Sequence, residues 1–218
     1  MVLGEVLALR SPRRCLVFTN TKAEAVALAS RLATCSALRG AAALHGDLPQ
    51  FQRTALMNDF KSGALDLMVA TDVAARGIHV DGLDLVVHCG LPVTGSGGAR
   101  RGKKSAAEVV NVEQFLHRTG RTARMGTTGT SLLLLDPGAG EEALVAPIER
   151  EFGAPFKRVH LPSPSDLSLA AAQLATKRME EVDAEAAAML MKAAEALIAE
   201  QGAAGVARAL AALGGLLA

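Results

Sequence analysis

The chain has 218 residues, of which 50% are hydrophobic, and carries 23 Lys and Arg against 22 Asp and Glu. This length suits one large domain, or one domain with an appendage. No apolar run approaches the roughly 18 residues of a membrane span and no signal-peptide pattern is evident, so we expect neither a membrane partner nor secretion. The cysteines, Cys15, Cys35 and Cys89, are too widely spaced for a zinc ribbon or a disulfide framework. They fit a reducing compartment, and no metal site is expected.

Short apolar runs alternate with helical periodicity over the first 160 residues. Five runs are typical of buried strands: 15–19, 41–44, 65–70, 83–87 and 131–135. Apolar residues at helical spacing follow the first run, begin again at Pro49 and resume over 112–119. Strands that alternate with helices form parallel βαβ units. The sequence therefore predicts an α/β fold with a doubly wound parallel sheet.

Two stretches depart from this alternation. Residues 93–108 are rich in Gly and basic residues, which is typical of a solvated loop. From 165 to 218 the chain becomes Ala-rich and acidic, with apolar stripes at helical spacing over 186–197 and 206–217. We therefore predict one domain over residues 1–160, with 93–108 as an inserted basic loop, and a helical extension over 165–218.

The segment His117-Arg-Thr-Gly-Arg-Thr-Ala-Arg124 places three arginines within seven positions. Such a cluster is most often a solvated basic surface. Here Arg121 and Arg124, three positions apart, face the same way on a helical turn. Two guanidinium groups on one face suit a phosphate chain, because each can bond it bidentately and neutralise charge on a transferred group.

Small polar residues follow three of the predicted strands, where the next helix begins. These segments are Phe18-Thr-Asn-Thr-Lys22, His45-Gly-Asp47 with Gln50 and Arg53, and Thr71 to Gly77. Ligands of parallel sheets collect at the carboxyl ends of the strands, and helix N-termini there favour phosphate. Each such residue alone is more often a helix N-cap. Their repetition predicts a surface for a phosphate-bearing ligand.

Four segments resemble motifs IV, IVa, V and VI of DEAD-box RNA helicases, in that order: Phe18-Thr-Asn-Thr-Lys22, His45-Gly-Asp47 with Gln50-x-x-Arg53, Ala70-Thr-Asp-Val-Ala-Ala-Arg-Gly77, and His117-Arg-x-Gly-Arg-x-x-Arg124. The resemblance covers residues 10–160 and implies the second of the two RecA-like domains of such an enzyme. The segment 197–215 is similar to the helical region after the core in the nucleolar and plastid branch. The resemblance thus implies a RecA-like doubly wound parallel sheet with a C-terminal helical extension.

This resemblance also implies an RNA-binding surface. The residues it would use are Thr21, the amides of Gly46 and Asp47, Gln50, Arg53, Thr71, Arg76 and Gly77. They would hold the sugar-phosphate backbone of single-stranded or structured RNA, with Gln50 and Arg53 supporting that surface. Backbone contacts ignore base identity, so binding would tolerate any sequence and weaken with salt. The absence of Trp and Tyr fits backbone recognition better than base stacking.

The catalytic residues implied are Arg121 and Arg124, as arginine fingers that reach the γ-phosphate of ATP. His117 and Arg118 would link the ATP site to the RNA side. ATP and Mg²⁺ would be held mainly by a first RecA-like domain, since this sequence contains no true P-loop and no Asp-Glu-Ala-Asp run. We therefore expect the C-terminal half of an ATP-dependent RNA helicase, which does not hydrolyse ATP alone and needs that first domain as a partner.

The sequence departs from the family pattern in two residues and one insertion. His79 stands where the family usually has an Asp that approaches the nucleotide ribose, so His79 is a doubtful nucleotide-binding residue. Ala123 replaces a common Gly, a small change in size. The basic insertion 93–108 contains Gly97-x-x-x-x-Gly102-Lys103, but Lys104 occupies the position where a P-loop needs Ser or Thr for Mg²⁺. This loop is therefore interpreted as a solvated or RNA-contacting segment.

Two alternatives stay open at this point. The chain could be a non-catalytic RNA-binding module that dimerises through the helical extension, because the stripes at 186–197 and 206–217 would suit a homodimer. It could also be a DNA translocase of the wider helicase superfamily, although the residues of the segments 117–121 and 70–77 favour RNA. The RNA target and the compartment, whether plastid, nucleolus or cytosol, do not follow from the sequence.

Overall fold

The structure is a computed structural model that describes residues 2–34, 38–75, 83–94, 109–123, 128–136, 138, 140–180 and 182–214. The chain divides into two units. The larger unit contains the described residues between 12 and 159, and the smaller contains residues 2–11 with those from 160 onward. The domain limits given above stay a prediction.

A five-stranded parallel sheet organises the larger unit. Its strands are β1 (Cys15–Thr19), β2 (Ala41–Leu44), β3 (Leu67–Thr71), β4 (Leu85–Cys89) and β7 (Thr130–Leu134). The order across the sheet is β2-β3-β1-β4-β7, and every neighbouring pair is parallel. The predicted strands agree with these bounds to within two residues, and the doubly wound α/β class is confirmed. A short antiparallel pair, β5 (Val93–Thr94) and β6 (Val109–Val110), was not predicted.

Helices connect the strands and form the smaller unit. They are α1 (Val2–Arg10), α2 (Lys22–Leu32), α3 (Gln50–Ser62), α4 (Asp72–Ala75), α5 (Val112–Thr119), α6 (Ala146–Phe152), α7 (Pro164–Glu180) and α8 (Ala184–Gly214), with a 3-10 turn over Glu141–Leu144. In the smaller unit α1 packs against α7, and α7 packs against α8. α8 breaks at Gly202, whose φ of 59° is not helical. None of the described helices is both long enough and apolar enough to cross a bilayer.

The core of the larger unit lies on both faces of the sheet. β1 and β3 are buried along their whole length, as expected for central strands that helices cover on both sides. One apolar cluster joins the sheet to α3 and α4; its buried members include Phe18, Leu44, Phe60, Met68 and Val86. A second cluster joins Leu91, Val110, Phe115, Val145 and Ile148. Apolar layers therefore leave only the ends of the strands for polar chemistry.

One histidine lies inside this apolar layer. The His88 side chain, on β4, is fully buried and stacks on Phe115 with ring centroids 4.2 Å apart. Its Nε2 atom lies 2.9 Å from the Ser131 hydroxyl on the neighbouring strand, and its Nδ1 atom has no hydrogen-bond partner among the described residues. Burial, assisted by the nearby Arg118 cation, lowers the pKa of His88 from 6.5 to about 3. The folded protein therefore holds this imidazole neutral.

The stability of the fold should depend on pH through His88. The unfolded chain binds a proton below pH 6.5 whereas the folded chain binds it only near pH 3. Stability is thus complete above pH 6.5 and is lost as the pH falls toward 3, by up to about 1.4 kcal/mol per pH unit. The free energy of unfolding in urea, measured between pH 7 and 4, should show this slope. His88→Phe, which keeps the aromatic stack, should flatten the slope, and His160→Gln on an exposed residue should not. An equal slope in all three proteins would contradict this assignment.

Candidate functional site

Polar side chains from several elements meet where the parallel strands end. Because β1 and β3 pair in parallel, Thr19 at the end of β1 lies opposite Thr71 at the end of β3. Asn20 follows β1, Asp72 begins α4 directly after β3, and Gly90 follows β4. The sheet therefore brings segments distant in sequence to one edge, as the sequence predicts.

A buried arginine joins these strand ends. Arg118, on α5, is only 1% exposed. Its Nε and Nη2 atoms donate to both carboxylate oxygens of Asp72, at 2.7 and 2.6 Å. Nη2 also donates to Asn20 Oδ1 at 2.9 Å, and Nη1 donates to the Gly90 carbonyl at 3.3 Å. The guanidinium lies 5.3 Å from the centre of the Phe18 ring. Arg118 therefore fixes α5 against the ends of β1, β3 and β4.

This structural task was not foreseen from the sequence, which gave Arg118 a catalytic role. Asn20 was also missed as a site residue; it donates through Nδ2 to the Leu91 carbonyl at 2.9 Å and so holds the loop after β4. The available signal was an Asn directly after a strand end. The catalytic role of Arg118 stays a prediction.

An open cavity of about 260 Å³ lies beside this network. Its lining comes from β1, α4, α5 and the residues around them: Phe18, Asp72, Ala75, Asn111, Glu113, Gln114, His117, Arg118 and Arg121. The His117 side chain is exposed and that of Arg121 is half-buried. Three of the four predicted catalytic residues, His117, Arg118 and Arg121, therefore line one cavity. The fourth, Arg124, lies outside the described residues.

The predicted RNA-binding residues after β1 and β2 also come together. The Lys22 ammonium, in the first turn of α2, forms an ion pair with the Asp47 carboxylate in the loop after β2. The hydrogen bond from Lys22 lowers the pKa of Asp47. Gly46 is exposed on the same loop, and Gln50 is exposed at the start of α3. Arg53, about one turn further along α3, is half-buried. Lys22 belongs to the quoted motif, but the sequence did not single it out as a site residue.

Of the two predicted RNA-binding threonines, one caps a helix and the other is nearly buried. Thr21 caps α2: its hydroxyl oxygen accepts from the Glu24 amide at 3.2 Å, and the Glu24 carboxylate accepts from the Thr21 amide at 3.1 Å. The Thr21 hydroxyl can still donate to a phosphate oxygen. Thr71 is 8% exposed, so little of its side chain is accessible to a ligand.

Several predicted positions lie outside the described residues. They are Arg76, Gly77, His79, Arg124 and, in the inserted loop, residues 95–108 with the segment Gly97–Lys104. Among the described residues, no group of three or more His, Cys, Asp or Glu side chains is placed to hold a metal ion.

Ala123 has a backbone conformation that is unusual for a residue other than glycine. Its φ is 56°, in the left-handed region that suits glycine and is costly for other residues. The preceding Thr122 is buried and its hydroxyl donates to the Leu83 carbonyl, which holds this turn against the start of β4. A Cβ atom on Gly129 would overlap the Thr122 side chain and the Ala123 amide. The turn after Arg121 is therefore tightly packed and locally strained.

Comparison with known proteins places the chain among helicases. The helicase conserved C-terminal domain family matches residues 1–126. Nucleolar RNA helicase 2 of Mus musculus is 34% identical over 204 residues, which are 93% of this chain and 21% of that protein. DEAD-box ATP-dependent RNA helicase 7 of Spinacia oleracea is 33% identical over 189 residues, which are 87% of this chain and 24% of that protein. The chain thus spans less than a quarter of the length of these two relatives.

Solved structures agree with this relationship. The structure of S. cerevisiae Dbp5 bound to RNA and ADP BeF3 matches with a TM-score of 0.58 and 25% identity, over 79% of this chain and 41% of that chain. The similarity predicted from the four motifs is confirmed, and so is the RecA-like form of the sheet.

The buried ion pair of Arg118 should matter far more for stability than an exposed pair. Arg118→Ala leaves the Asp72 carboxylate without its partner and should lower the free energy of unfolding by about 3 kcal/mol. Removing both charges with Arg118→Met and Asp72→Asn should recover most of this loss. The matched control is Arg158→Ala, because Arg158 pairs with Glu142 at 3.3 Å with both side chains exposed. That variant should change stability by about 0.5 kcal/mol or less. Equal losses for Arg118→Ala and Arg158→Ala in urea unfolding would contradict the central role of Arg118.

Glycine should relieve the strain at position 123. Ala123→Gly should raise the free energy of unfolding by about 0.5–1 kcal/mol, because glycine accepts a positive φ. Ala55→Gly, on the exposed side of α3, is the matched control and should lower it by about 1 kcal/mol. Thermal and urea unfolding measure both changes, and a loss of stability in Ala123→Gly would refute the strained turn.

Proposed function

The chain belongs to the helicase C-terminal domain family, of the DEAD-box type, and we propose that it acts as the C-terminal half of an ATP-dependent RNA helicase. In this proposal residues 1–160 form the helicase domain and 165–218 a helical extension. The domain binds the RNA backbone and supplies arginines to ATP bound on a first RecA-like domain. The observation that carries the proposal is the placement of two residues around one open cavity: His117, on α5, and Arg121, two residues after the end of α5, which Arg118 anchors to the strand ends.

The ATP side is supported by Arg121, a cationic residue in the lining of this cavity, which also contains the carboxylates of Asp72 and Glu113. A triphosphate needs cationic donors, and Arg121 lies one turn after the buried anchor Arg118, so the polar network orients its segment in advance. Arg124 completes the proposed pair of fingers. Because the described residues offer no acidic cluster for Mg²⁺, we assign the metal and most of the nucleotide contacts to the first RecA-like domain. This half then supplies charge stabilisation for phosphoryl transfer.

The RNA side is supported by the loops after β1 and β2. The ion pair between Lys22 and Asp47 holds these loops together and leaves the backbone of Gly46 exposed. Exposed amides, the Thr21 hydroxyl and the Arg53 guanidinium are groups that bind phosphate regardless of base identity. The related Dbp5 structure contains RNA and a nucleotide analogue, which is consistent with both sides of the proposal.

A second candidate is an RNA-binding module that dimerises through the helical extension. α8 exposes four large apolar side chains in its first half, each between 54% and 76% exposed: Met189, Leu190, Met191 and Ile198. Such a helix gains free energy by packing against another apolar surface, and a second copy of the same helix is one such surface. This alternative needs no ATP hydrolysis.

Steady-state ATP hydrolysis, with and without single-stranded RNA, tests the proposal. The chain alone should show no turnover. Addition of a first RecA-like domain from a related helicase should produce RNA-stimulated turnover. Arg121→Ala should reduce that turnover by about 10³-fold or more, the range of a lost arginine finger. Arg158→Ala removes an exposed arginine elsewhere and should retain full activity.

Other outcomes would identify the rivals. Turnover by the chain alone would disprove the half-enzyme. No turnover in the mixture, with RNA binding retained, would favour the binding module. Stimulation by single-stranded DNA equal to that by RNA would favour a DNA translocase.

A further inference from the structure

The phenylalanine side chains of the larger unit differ widely in exposure, and Phe51 is the most exposed of those that the structure describes. Phe18, Phe60 and Phe115 are each 2% exposed or less, and Phe152 is 43% exposed. Phe51, in the first turn of α3, is 71% exposed. Leaving such a ring in water forgoes about 1.5–3 kcal/mol of burial free energy. The ring is therefore available for contact with a ligand.

The geometry of α3 explains why Phe51 does not join the core. Phe60 anchors the helix in the core, with Leu56 and Met57 partly buried against the same cluster. At 3.6 residues per turn, nine positions separate Phe51 from Phe60 by about half a turn, so the two rings lie on opposite sides of the helix. Small changes of rotamer cannot bring Phe51 into the core. Its exposure is a property of the helix register.

Phe51 lies among the groups assigned above to RNA. Gln50 precedes it, and the loop that ends at Pro49 carries Gly46 and Asp47. Arg53, two positions later, lies about 200° around the helix and therefore on the side opposite to Phe51. The ion pair between Asp47 and Lys22 fixes this loop against the start of α2. An exposed ring next to a loop of exposed residues combines two kinds of contact by which proteins bind single strands, where polar groups follow the backbone and the ring stacks on a base.

We propose that Phe51 is a base-stacking residue, whose ring packs against one unpaired base of RNA bound along the loop after β2. The inference rests on the proposed RNA-binding function and deepens it. Phe carries no hydrogen-bonding group on its ring, so the stack tolerates every base, as the neighbouring backbone contacts do. In this arrangement the loop binds the sugar-phosphate backbone. The ring of Phe51 stacks on the adjoining base once that base is unpaired.

The test measures binding of the full 218-residue chain to fluorescent single-stranded RNA by anisotropy. Phe51→Ala should weaken binding by about 5-fold or more, the lower end of what one base–aromatic stack contributes. Phe51→Leu keeps an apolar side chain but no aromatic face, and should weaken binding nearly as much. An RNA of equal length made of abasic sugar-phosphate should bind wild type, Phe51→Ala and Phe51→Leu equally, because it offers no base to stack.

A second readout does not depend on affinity. The sequence contains no Trp, so the indole of Phe51→Trp is the sole one in the chain and its fluorescence reports on this position alone. Stacking on a base should quench that fluorescence when RNA is added, and abasic RNA should not. Phe152→Trp, on α6 in the aromatic cluster with Phe115 and Phe156, is the matched control and should show no quenching.

The outcomes separate this inference from the proposed function. If wild type binds RNA but Phe51→Ala binds as tightly and Phe51→Trp is not quenched, the base-stacking role is overturned and the RNA-binding function stands. Equal weakening on abasic and ordinary RNA would also overturn it, because the contact would then be to sugar or phosphate. If wild type binds no RNA, the function and the inference fail together. Because Phe51 is exposed, its variants should unfold at the same urea concentration as wild type.

Discussion

The buried pair of Arg118 and Asp72 is the interaction on which the site depends. A guanidinium that is 1% exposed has lost nearly all of its hydration, and only its hydrogen bonds offset that cost. Buried ion pairs of this kind often contribute little net stability compared with apolar groups of the same size. Their directional bonds do fix geometry, however, and here they fix α5 relative to three strand ends. The positions of His117 and Arg121 are consequences of that one arrangement.

The layer beneath this pair shows why such a network forms only at the strand ends. Phe18, His88 and Phe115 stack in sequence under the guanidinium, with ring centroids 6.1 and 4.2 Å apart. A neutral imidazole suits this position because a second buried cation beside Arg118 would have no counter-ion. Desolvation keeps His88 uncharged, and the single carboxylate of Asp72 suffices for Arg118. The stack is therefore compatible with the buried Arg118 cation because His88 is neutral, and the charge of Arg118 in turn helps to keep His88 neutral.

The strands and the class of fold could be predicted because both depend on local composition. Apolar runs mark β1 to β4 and β7 in the sequence itself, and burial of both faces requires such runs in the central strands β1 and β3. The pairing of Arg118 with Asp72 joins residues 46 positions apart, so hydrophobic periodicity, which is a local pattern, cannot predict it. The same holds for Lys22 with Asp47. The left-handed turn at Ala123 was hidden because alanine normally avoids that conformation. The short pair β5 and β6 has too few residues to show a pattern.

The ion pairs at the strand ends also reduce the positive charge that this edge of the sheet offers to a polyanion. Lys22 is paired with Asp47 and Arg118 with Asp72, so two of the cations at this edge attract phosphate less than their number suggests. The net charge of the chain, +1, adds little long-range attraction. In the proposed function, affinity for a nucleic-acid backbone therefore comes from directed groups at short range, such as exposed amides, the Thr21 hydroxyl and the Arg53 guanidinium. Where electrostatic attraction is weak, a contact that does not depend on charge makes a larger share of the binding free energy. The exposed ring of Phe51 offers such a contact, because stacking survives the salt concentrations that screen phosphate contacts.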